Sequence, residues 1–544
     1  MKKSFIIIAI FLVAVGAILG GIFGRLPNKF SIGLGGTKDK LTEDYTEALS
    51  VVEENYVDKT DSEKTLESSV QGMLYTLDPH SSFFTQKEFK KLFEDQSSRF
   101  YGIGVSILSH RDGTYVQSIV AGTPADKAGL RYGDKFIEVD GKDADKWTSQ
   151  EVSKNVRGER GSNVKVKMQR PGVEKPIEFE LIRDGVPLPS IRNSFILKDD
   201  IGYVGLTGGF QETTADELDD AITTLRKQGM KQLILDLRGN PGGLLPQAIE
   251  VTSRFLPRGQ VVVSVKGRTK DASSKDYRAV GGGDDKLPLV VMINGGSASA
   301  SEIVAGALQD YGRGVLVGSE SFGKGLVQKV FPLPSGTGLT LTTQRYYTPY
   351  GRSLQRDYSS GSIYDYYTHG EDNPDKATEP KNEGVPVKVA NDRTLFGGRG
   401  IEPDLKAEAQ TINTLRFRLN EAAFFFTREL ASGKVDGLEN YKTDKQKFES
   451  ILQPNDFQIN DKLFEAFRNF TVKDKENGLS AENINSQLDY AKSRLREELA
   501  TANYSSEAGL QVILESDPQV LKAAESMPEA KKLAENFKSS SLIG

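Results

Sequence analysis

Leu289-Val290-Val291-Met292-Ile293-Asn294-Gly295-Gly296-Ser297-Ala298-Ser299-Ala300-Ser301-Glu302-Ile303 changes character twice. The unbroken apolar run reads as a strand buried on both faces, the paired glycines as a sharp turn, and the alanine-rich stretch as the start of a helix. Such a junction displays its serines at the rim of a sheet, beside the unpaired amides of a helix N-terminus. One local reading is purely structural: Ser299-x-x-Glu302 has the spacing of a capping box.

The same alternation continues on both sides. Gly202–Leu206, Gln232–Leu237, Val261–Val265, Val315–Val317, Val327–Phe331 and Leu339–Gln344 read as strands. Thr214–Gln228, Leu244–Phe255 and Ala300–Asp310 read as helices. Strands and helices in turn, with continuous apolar strands, imply an α/β layered core, set at 186–404. Within it, 353–398 is rich in Tyr, Asp, Gly and Pro and reads as a long exposed insertion.

Upstream, 98–185 switches to short β-like runs with a helix at Ser149–Val156, a small β-rich domain. Residues 38–97 carry a helical period through Leu49, Val52, Tyr56, Leu66, Val70, Met73 and Leu77. Asp78-Pro79-His80-Ser81-Ser82 interrupts it, and Thr85 with Glu88 offers a new cap. Residues 25–37 form a Gly-rich linker, and 405–544 are charged and helical, with a stripe at Ile412, Leu415, Leu419, Ala422 and Phe426. In 1–24, Lys2 and Lys3 precede an uncharged run from Phe5 to Phe23, close to the ~20 residues that cross a bilayer. That favours a membrane anchor over a cleaved signal, with the body outside the cytoplasm.

Composition excludes several chemistries. The 544 residues are 37% hydrophobic and 27% charged, as in folded proteins, and a net charge of -5 offers no nucleic-acid footprint. With no cysteine, disulfides and thiol nucleophiles are absent, and the three histidines sit in no zinc motif. Nothing implies a metal or organic cofactor.

A serine hydroxyl needs a base, and Ser321-Phe322-Gly323-Lys324-Gly325-Leu326-Val327-Gln328 supplies a lysine between two glycines at a strand start. Glycines allow close backbone approach, so the amine can be drawn into a cleft. Catalytic lysines are tuned from ~10.4 to ~7–8 by burial, without which the amine stays charged.

Together, G-S-A-S-A-S-E-I and F-G-K-G-x-V-Q resemble the signature of the C-terminal processing (tail-specific) proteases, serine peptidases with a Ser–Lys dyad and a PDZ domain. E-N-Y-V-D at 54–58, L-D-P-H-S-S-F at 77–83, T-P-Y-G-R-S-L-Q at 348–355 and G-I-E-P-D at 400–404 also fit. The resemblance implies Ser299 as nucleophile, Lys324 as general base and Gln328 as the residue orienting it. It implies an oxyanion hole from the Ala300 amide and from Gly242 or Gly243 in D-L-R-G-N-P-G-G. His80 is expected to be structural. Tyr101-Gly102-Ile103-Gly104-Val105 resembles the carboxylate-binding loop of a PDZ domain, with G-T-P-A-D-K-A-G-L-R-Y-G-D behind it. Such a loop grips polypeptides by their free C-termini. Arg157, after the domain's helix, is expected to touch the catalytic core and report occupancy.

The expected fold is an α/β protease core with an inserted PDZ domain and helical N- and C-terminal regions. The expected setting is a bacterial inner membrane, single-pass, with the catalytic body in the periplasm and room for a homodimer. The competing readings are a PDZ scaffold with an inert core and a hydrolase of small esters. The first would lack nucleophile, base or orienting residue, and the second would need no carboxylate-binding domain.

Overall fold

The computed structural model describes residues 37–96, 99–281, 286–359, 366–367, 384–449, 451–453 and 455–537. The chain divides into two units, 1–73 and 74–544. The expected anchor at 1–24 and most of the linker lie outside the described residues.

The first unit holds α1 (Thr37–Asn55) and most of α2 (Ser62–Tyr75). Of the helical period read from the sequence, Val52, Tyr56, Leu66 and Met73 are exposed, whereas Leu49 and Val70 are half-buried.

In the second unit, β1 (Ser82–Phe84) leads to α3 (Gln86–Gln96), whose Thr85–Glu88 cap forms as read: Thr85 N–H donates to Glu88 Oε2, and Glu88 N–H to Thr85 Oγ1. The β-rich domain follows, built from β2 (Arg99–Gly102), β3 (Val105–His110), β4 (Gly113–Ile119), α4 (Pro124–Ala128), β5 (Lys135–Val139), β6 (Lys142–Asp143), α5 (Ser149–Val156), β7 (Asn163–Gln169), β8 (Ile177–Ile182) and β9 (Asp184–Pro187). Its sheet runs β3-β4-β5-β7-β8 with β6 on β5, all antiparallel. Strand β3 is therefore an edge with open backbone groups. Strand β2 ends at Gly102 and β3 begins at Val105. Gly104 adopts φ +84 against Thr123 and turns the chain between β2 and β3. Strands β2 and β9 pair with each other, so the domain hangs on one ribbon where the chain enters and leaves.

The core comprises β10 (Ile191–Lys198), β11 (Ile201–Leu206), α6 (Thr214–Lys227), β12 (Gln232–Asp236), α7 (Leu245–Ser253), β13 (Val261–Gly267), β14 (Lys275–Arg278), β15 (Leu289–Ile293), α8 (Ala300–Asp310), β16 (Val315–Gly318), β17 (Leu326–Pro332), β18 (Gly338–Tyr347), β19 (Val385–Lys388), β20 (Thr394–Gly397) and β21 (Leu405–Lys406). The main sheet is ordered β10-β11-β12-β15-β16-β21, parallel except for β10. Alternation along each strand splits its side chains between two cores. Leu233, Leu235, Leu289, Val291, Ile293 and Leu316 pack under α6, α7 and α8. Ile234, Val290, Met292, Val315 and Val317 face the other way. A second, antiparallel sheet joins β1-β18-β13-β14, with β17 also on β18.

The C-terminal region contains α9 (Thr414–Ala431), α10 (Asp461–Lys473), α11 (Ala481–Asn485), α12 (Leu488–Asn503), α13 (Ser506–Leu514), α14 (Pro518–Glu525) and α15 (Met527–Asn536). Leu419, Ala422 and Phe426 are buried in its core, whereas Ile412 is exposed because Asn413 caps α9 and the helix starts after it. Leu514, Val520, Ala523, Met527 and Ala530 cover the second face of the main sheet. The same region holds the β-rich domain. His110 stacks on Phe424 with centroids 4.2 Å apart, the Tyr132 hydroxyl donates to Glu498 at 2.6 Å, and Arg428 donates to the Gly133 carbonyl at 2.6 Å.

Candidate active site

Of the serines in S-A-S-A-S, two are consumed by structure. Ser297 and Ser301 are fully buried, and their hydroxyls donate to the carbonyls of Leu237 (2.8 Å) and Asn240 (2.9 Å). Ser299 is half-buried, and its backbone sits at φ 54, ψ -112, outside the ordinary regions for a side-chain-bearing residue. That sharp strand-to-helix turn lifts its side chain out of the packing that holds its neighbours.

Glu302 organises the surroundings. Its carboxylate is fully buried at the first turn of α8 and accepts from Ser299 N–H at 2.9 Å, Lys324 N–H at 2.8 Å, Gly323 N–H at 2.7 Å and the Ser321 hydroxyl at 2.5 Å. One oxygen, Oε2, serves both Ser299 and Lys324, so their backbone nitrogens are less than about 6 Å apart. The serine loop and the lysine loop are thus pinned to a single carboxylate. The capping-box reading captured Glu302 bonding to Ser299 and missed the lysine loop.

Burial lowers the Lys324 pKa below the ordinary lysine range, while the charges of Glu302 and Asp78 oppose the shift. Burial is the larger effect, and the Glu302 charge is already shared among four donors. Gln328 lies on β17 beyond a bulge at Val327/Gln328, which re-aims the strand. Its Nε2 donates to Thr342 Oγ1 at 3.1 Å, which turns its carbonyl oxygen away from that partner.

The D-L-R-G-N-P-G-G loop sits directly against Ser299. Gly242 has φ +98, and a side chain there would lie 2.8 Å from Ser299 Cβ and 2.9 Å from Ala300 N, so only glycine fits. Ala300 N–H is the first amide of α8, a position helices leave unpaired. Gly242 N–H donates to Asn240 Oδ1 at 2.9 Å. Gly243 is bridged to Phe210, whose carbonyl takes the Leu244 amide rather than that of Gly243.

His80 and Asp78 belong to the same neighbourhood, a placement the sequence did not reveal. Asp78 is buried and accepts from His80 N–H at 2.8 Å, Ser81 N–H at 2.9 Å and the Ser81 hydroxyl at 2.7 Å. The His80 pKa is lowered to about 4, chiefly by burial and next by the charge of Lys324. The only hint in the sequence was a rare histidine inside the polar break L-D-P-H-S-S-F.

In the β-rich domain, Gly102, Ile103 and Gly104 are buried, Val105 is half-buried and Tyr101 is exposed, at the head of the open edge of β3 and beside α5. The Ile103 carbonyl accepts from Ala125 N–H at 2.8 Å, which anchors the loop to α4. Arg157 caps α5 and lies over the Phe100 ring, 4.4 Å from its centroid, on the entry ribbon. A contact from it to the catalytic core is not among the contacts of the described residues.

Comparison with known proteins places these features in a family. Residues 200–366 match Peptidase family S41, and residues 102–181 match the PDZ domain. A carboxy-terminal-processing protease of Bartonella bacilliformis is 40% identical over 308 residues, 56% of this chain and 70% of that protein. The carboxy-terminal processing protease CtpA of Bacillus subtilis is 34% identical over 397 residues, 71% of this chain and 83% of its own. Among solved structures, a photosystem II D1 C-terminal processing protease is 27% identical, over 68% of this chain and 93% of that one, with a TM-score of 0.35.

Proposed function

The chain belongs to the carboxy-terminal processing proteases of peptidase family S41 and is a serine peptidase with a PDZ domain; from that premise we propose that Ser299 is its nucleophile and Lys324 its general base. The Lys324 amine, whose pKa burial lowers, acts in its neutral form and takes the proton of Ser299 as the hydroxyl attacks a peptide carbonyl. The amide of Ala300 and that of Gly242 or Gly243 receive the developing oxyanion. Lys324 then returns the proton to the departing amine, and an acyl group remains on Ser299 until water, deprotonated by Lys324, releases it. Gln328 holds the amine through an uncharged oxygen, which orients it without stabilising its protonated form. The observation that carries this reading is the shared grip of Glu302 on both loops.

Substrates are polypeptides with free C-termini. The tail adds as a strand to the open edge of β3, with its carboxylate at Tyr101–Val105. Tethering one end raises the effective concentration of the rest of the chain at Ser299. Occupancy passes to the core through Arg157 and the ribbon on which it rests; tail-dependent cleavage unaltered in Arg157→Ala would remove that role. The same reading keeps 98–185 as the PDZ domain and 186–404 as the catalytic core. It takes Phe5–Phe23 as a single-pass anchor in a bacterial inner membrane, with the body in the periplasm for processing or degrading extracytoplasmic proteins. No helix among the described residues is long and apolar enough to cross a membrane. The exposed apolar residues of α1 and α2 suit a homodimer, to be tested by light scattering of the full chain.

Incubation with an unstructured polypeptide tests the chemistry. Wild type should fragment it, and Ser299→Ala and Lys324→Ala should each lose at least about a thousandfold in kcat. Equal fragmentation by all three proteins would overturn the dyad.

A further inference from the structure

Tyr366, between the T-P-Y-G-R-S-L-Q and G-I-E-P-D motifs, touches the lysine loop at Phe322. It is one of two described residues in the middle of that stretch and is buried, and its ring meets Phe322 edge-on with centroids 5.6 Å apart, two residues before Lys324. Arg356 lies over both rings, 4.1 Å from Phe322 and 4.4 Å from Tyr366.

A directed hydrogen-bond chain runs through the Tyr366 hydroxyl. Gly325 N–H, the amide next to Lys324, donates to Gln355 Oε1 at 2.9 Å, which fixes the orientation of that side-chain amide. Gln355 Nε2 then donates to the Arg356 carbonyl at 2.8 Å and to Tyr366 Oη at 3.1 Å. Tyr366 Oη, already accepting from Gln355, lies 2.8 Å from His80 Nε2, an unprotonated nitrogen in one of the two neutral tautomers and then the acceptor of the phenol proton. In that tautomer the ring proton is on Nδ1, 3.5 Å from Tyr367 Oη, which in turn donates to the Pro79 carbonyl at 3.0 Å. Each of these donors then meets an acceptor. The far end is also fixed. Arg352, which begins the segment leading to Gln355, makes a buried 2.6 Å ion pair with Asp310 at the end of α8, the helix that starts after Ser299.

We propose that Tyr366 is a positioning residue for the general base: its hydroxyl locks His80 as the neutral Nδ1–H tautomer beside Lys324, and its ring closes one wall of the amine's pocket. His80 carries no charge there, so it occupies space beside the amine without repelling its protonated form or attracting water to it. The inference rests on Lys324 acting as the base.

The two parts separate by substitution. Tyr366→Ala opens the wall. Water then reaches the amine, and the acidic limb of the kcat/KM–pH profile moves about one pH unit to higher pH, with kcat lowered about tenfold at neutral pH and KM little changed. Tyr366→Phe keeps the wall and loses the lock. The pH limb stays in place, kcat falls a few-fold, and the His80 ring shows both tautomers. With three histidines in the chain, nitrogen-15 imidazole spectra resolve His80 directly. An Nε2–H tautomer in wild type, or a Tyr366→Ala protein with the wild-type pH profile, overturns the proposal. Ser299→Ala and Lys324→Ala run in parallel separate the two failures. If both are inactive while the Tyr366 variants match wild type, this inference alone falls; if either remains active, the dyad itself is wrong.

Discussion

At Glu302, one buried carboxylate performs two tasks that pull against each other. It aligns the serine loop with the lysine loop through four donors, and its charge favours the protonated form of Lys324, which the proposed chemistry must avoid. Alignment wins because the charge is spread over those donors while burial acts on the amine directly. Glu302→Gln places an amide NH2 where donors already point, so at least one amide loses its acceptor. We expect kcat to fall about a hundredfold, equivalent to about 3 kcal/mol, with the protein still folded by circular dichroism. His80 gives a pH prediction. Its folded pKa is about 4 against 6.5 for the free side chain. Between those values the unfolded chain binds a proton that the folded one refuses, so stability is lost as pH falls through this window, by at most about 3 kcal/mol. Urea titrations at pH 7 and pH 4.5 should show a smaller acid loss for His80→Gln than for wild type. The motifs of Ser299 and Lys324, the proposed nucleophile and base, were legible because local glycines and a strand-to-helix switch mark them. The positions of Asp78 and His80 beside Lys324 were not, because that proximity is made by β1 pairing with β18, far away in sequence.

Among the elements, the edge strand β3 and helix α5 carry the proposed binding of substrate tails. The helix was legible to its ends, since Thr148 and Glu151 form the reciprocal cap that starts it. The break between β2 and β3 was not, because an alternating apolar run masks a left-handed glycine at position 104. Strands β8, β9 and β10 were among those the sequence reading did not mark, although β8, Ile177–Ile182, alternates covered apolar positions with exposed acidic ones. The open edge predicts a carboxylate requirement. A peptide with a free C-terminus should bind in titration calorimetry at least about tenfold more tightly than its amidated form, because the amide lacks the charge that the loop N–H groups hold. Equal affinities would show that the tail is gripped elsewhere.

For the molecule as a whole, the C-terminal helices are part of the catalytic layer. The sequence marked 405–544 as helical and left open whether it buttressed the core. Helices α13, α14 and α15 supply the second cover that a parallel sheet requires, and α9 and α12 hold the PDZ domain through Phe424 and Glu498. Arg238 of the D-L-R-G-N-P-G-G loop reaches the same layer, bonding Asp517 at 2.8 Å and Gln519 at 2.7 Å. Ending the chain before Pro518 uncovers Ile234, Val290, Met292, Val315 and Val317. At about 1.5–3 kcal/mol per apolar side chain, that is comparable to the whole ~5–15 kcal/mol by which domains are stable. The truncated chain should be recovered as aggregate, and a soluble, active product on gel filtration would contradict this. Charged helices at a chain end read as an appendage, since which sheet face they cover is decided only in three dimensions.

The central claim is an uncharged lysine amine beside the nucleophile. The most direct measurement is the ionisation of the Lys324 side chain, followed by carbon- and nitrogen-detected NMR in Ser299→Ala protein with labelled lysine and assigned by its loss in Lys324→Ala. The account predicts that this one lysine gives up its proton well below the ~10.4 of an ordinary side chain, and that activity of the unmutated enzyme rises along the same curve. A Lys324 that titrates with the surface lysines, while the enzyme is already fully active at neutral pH, would contradict it.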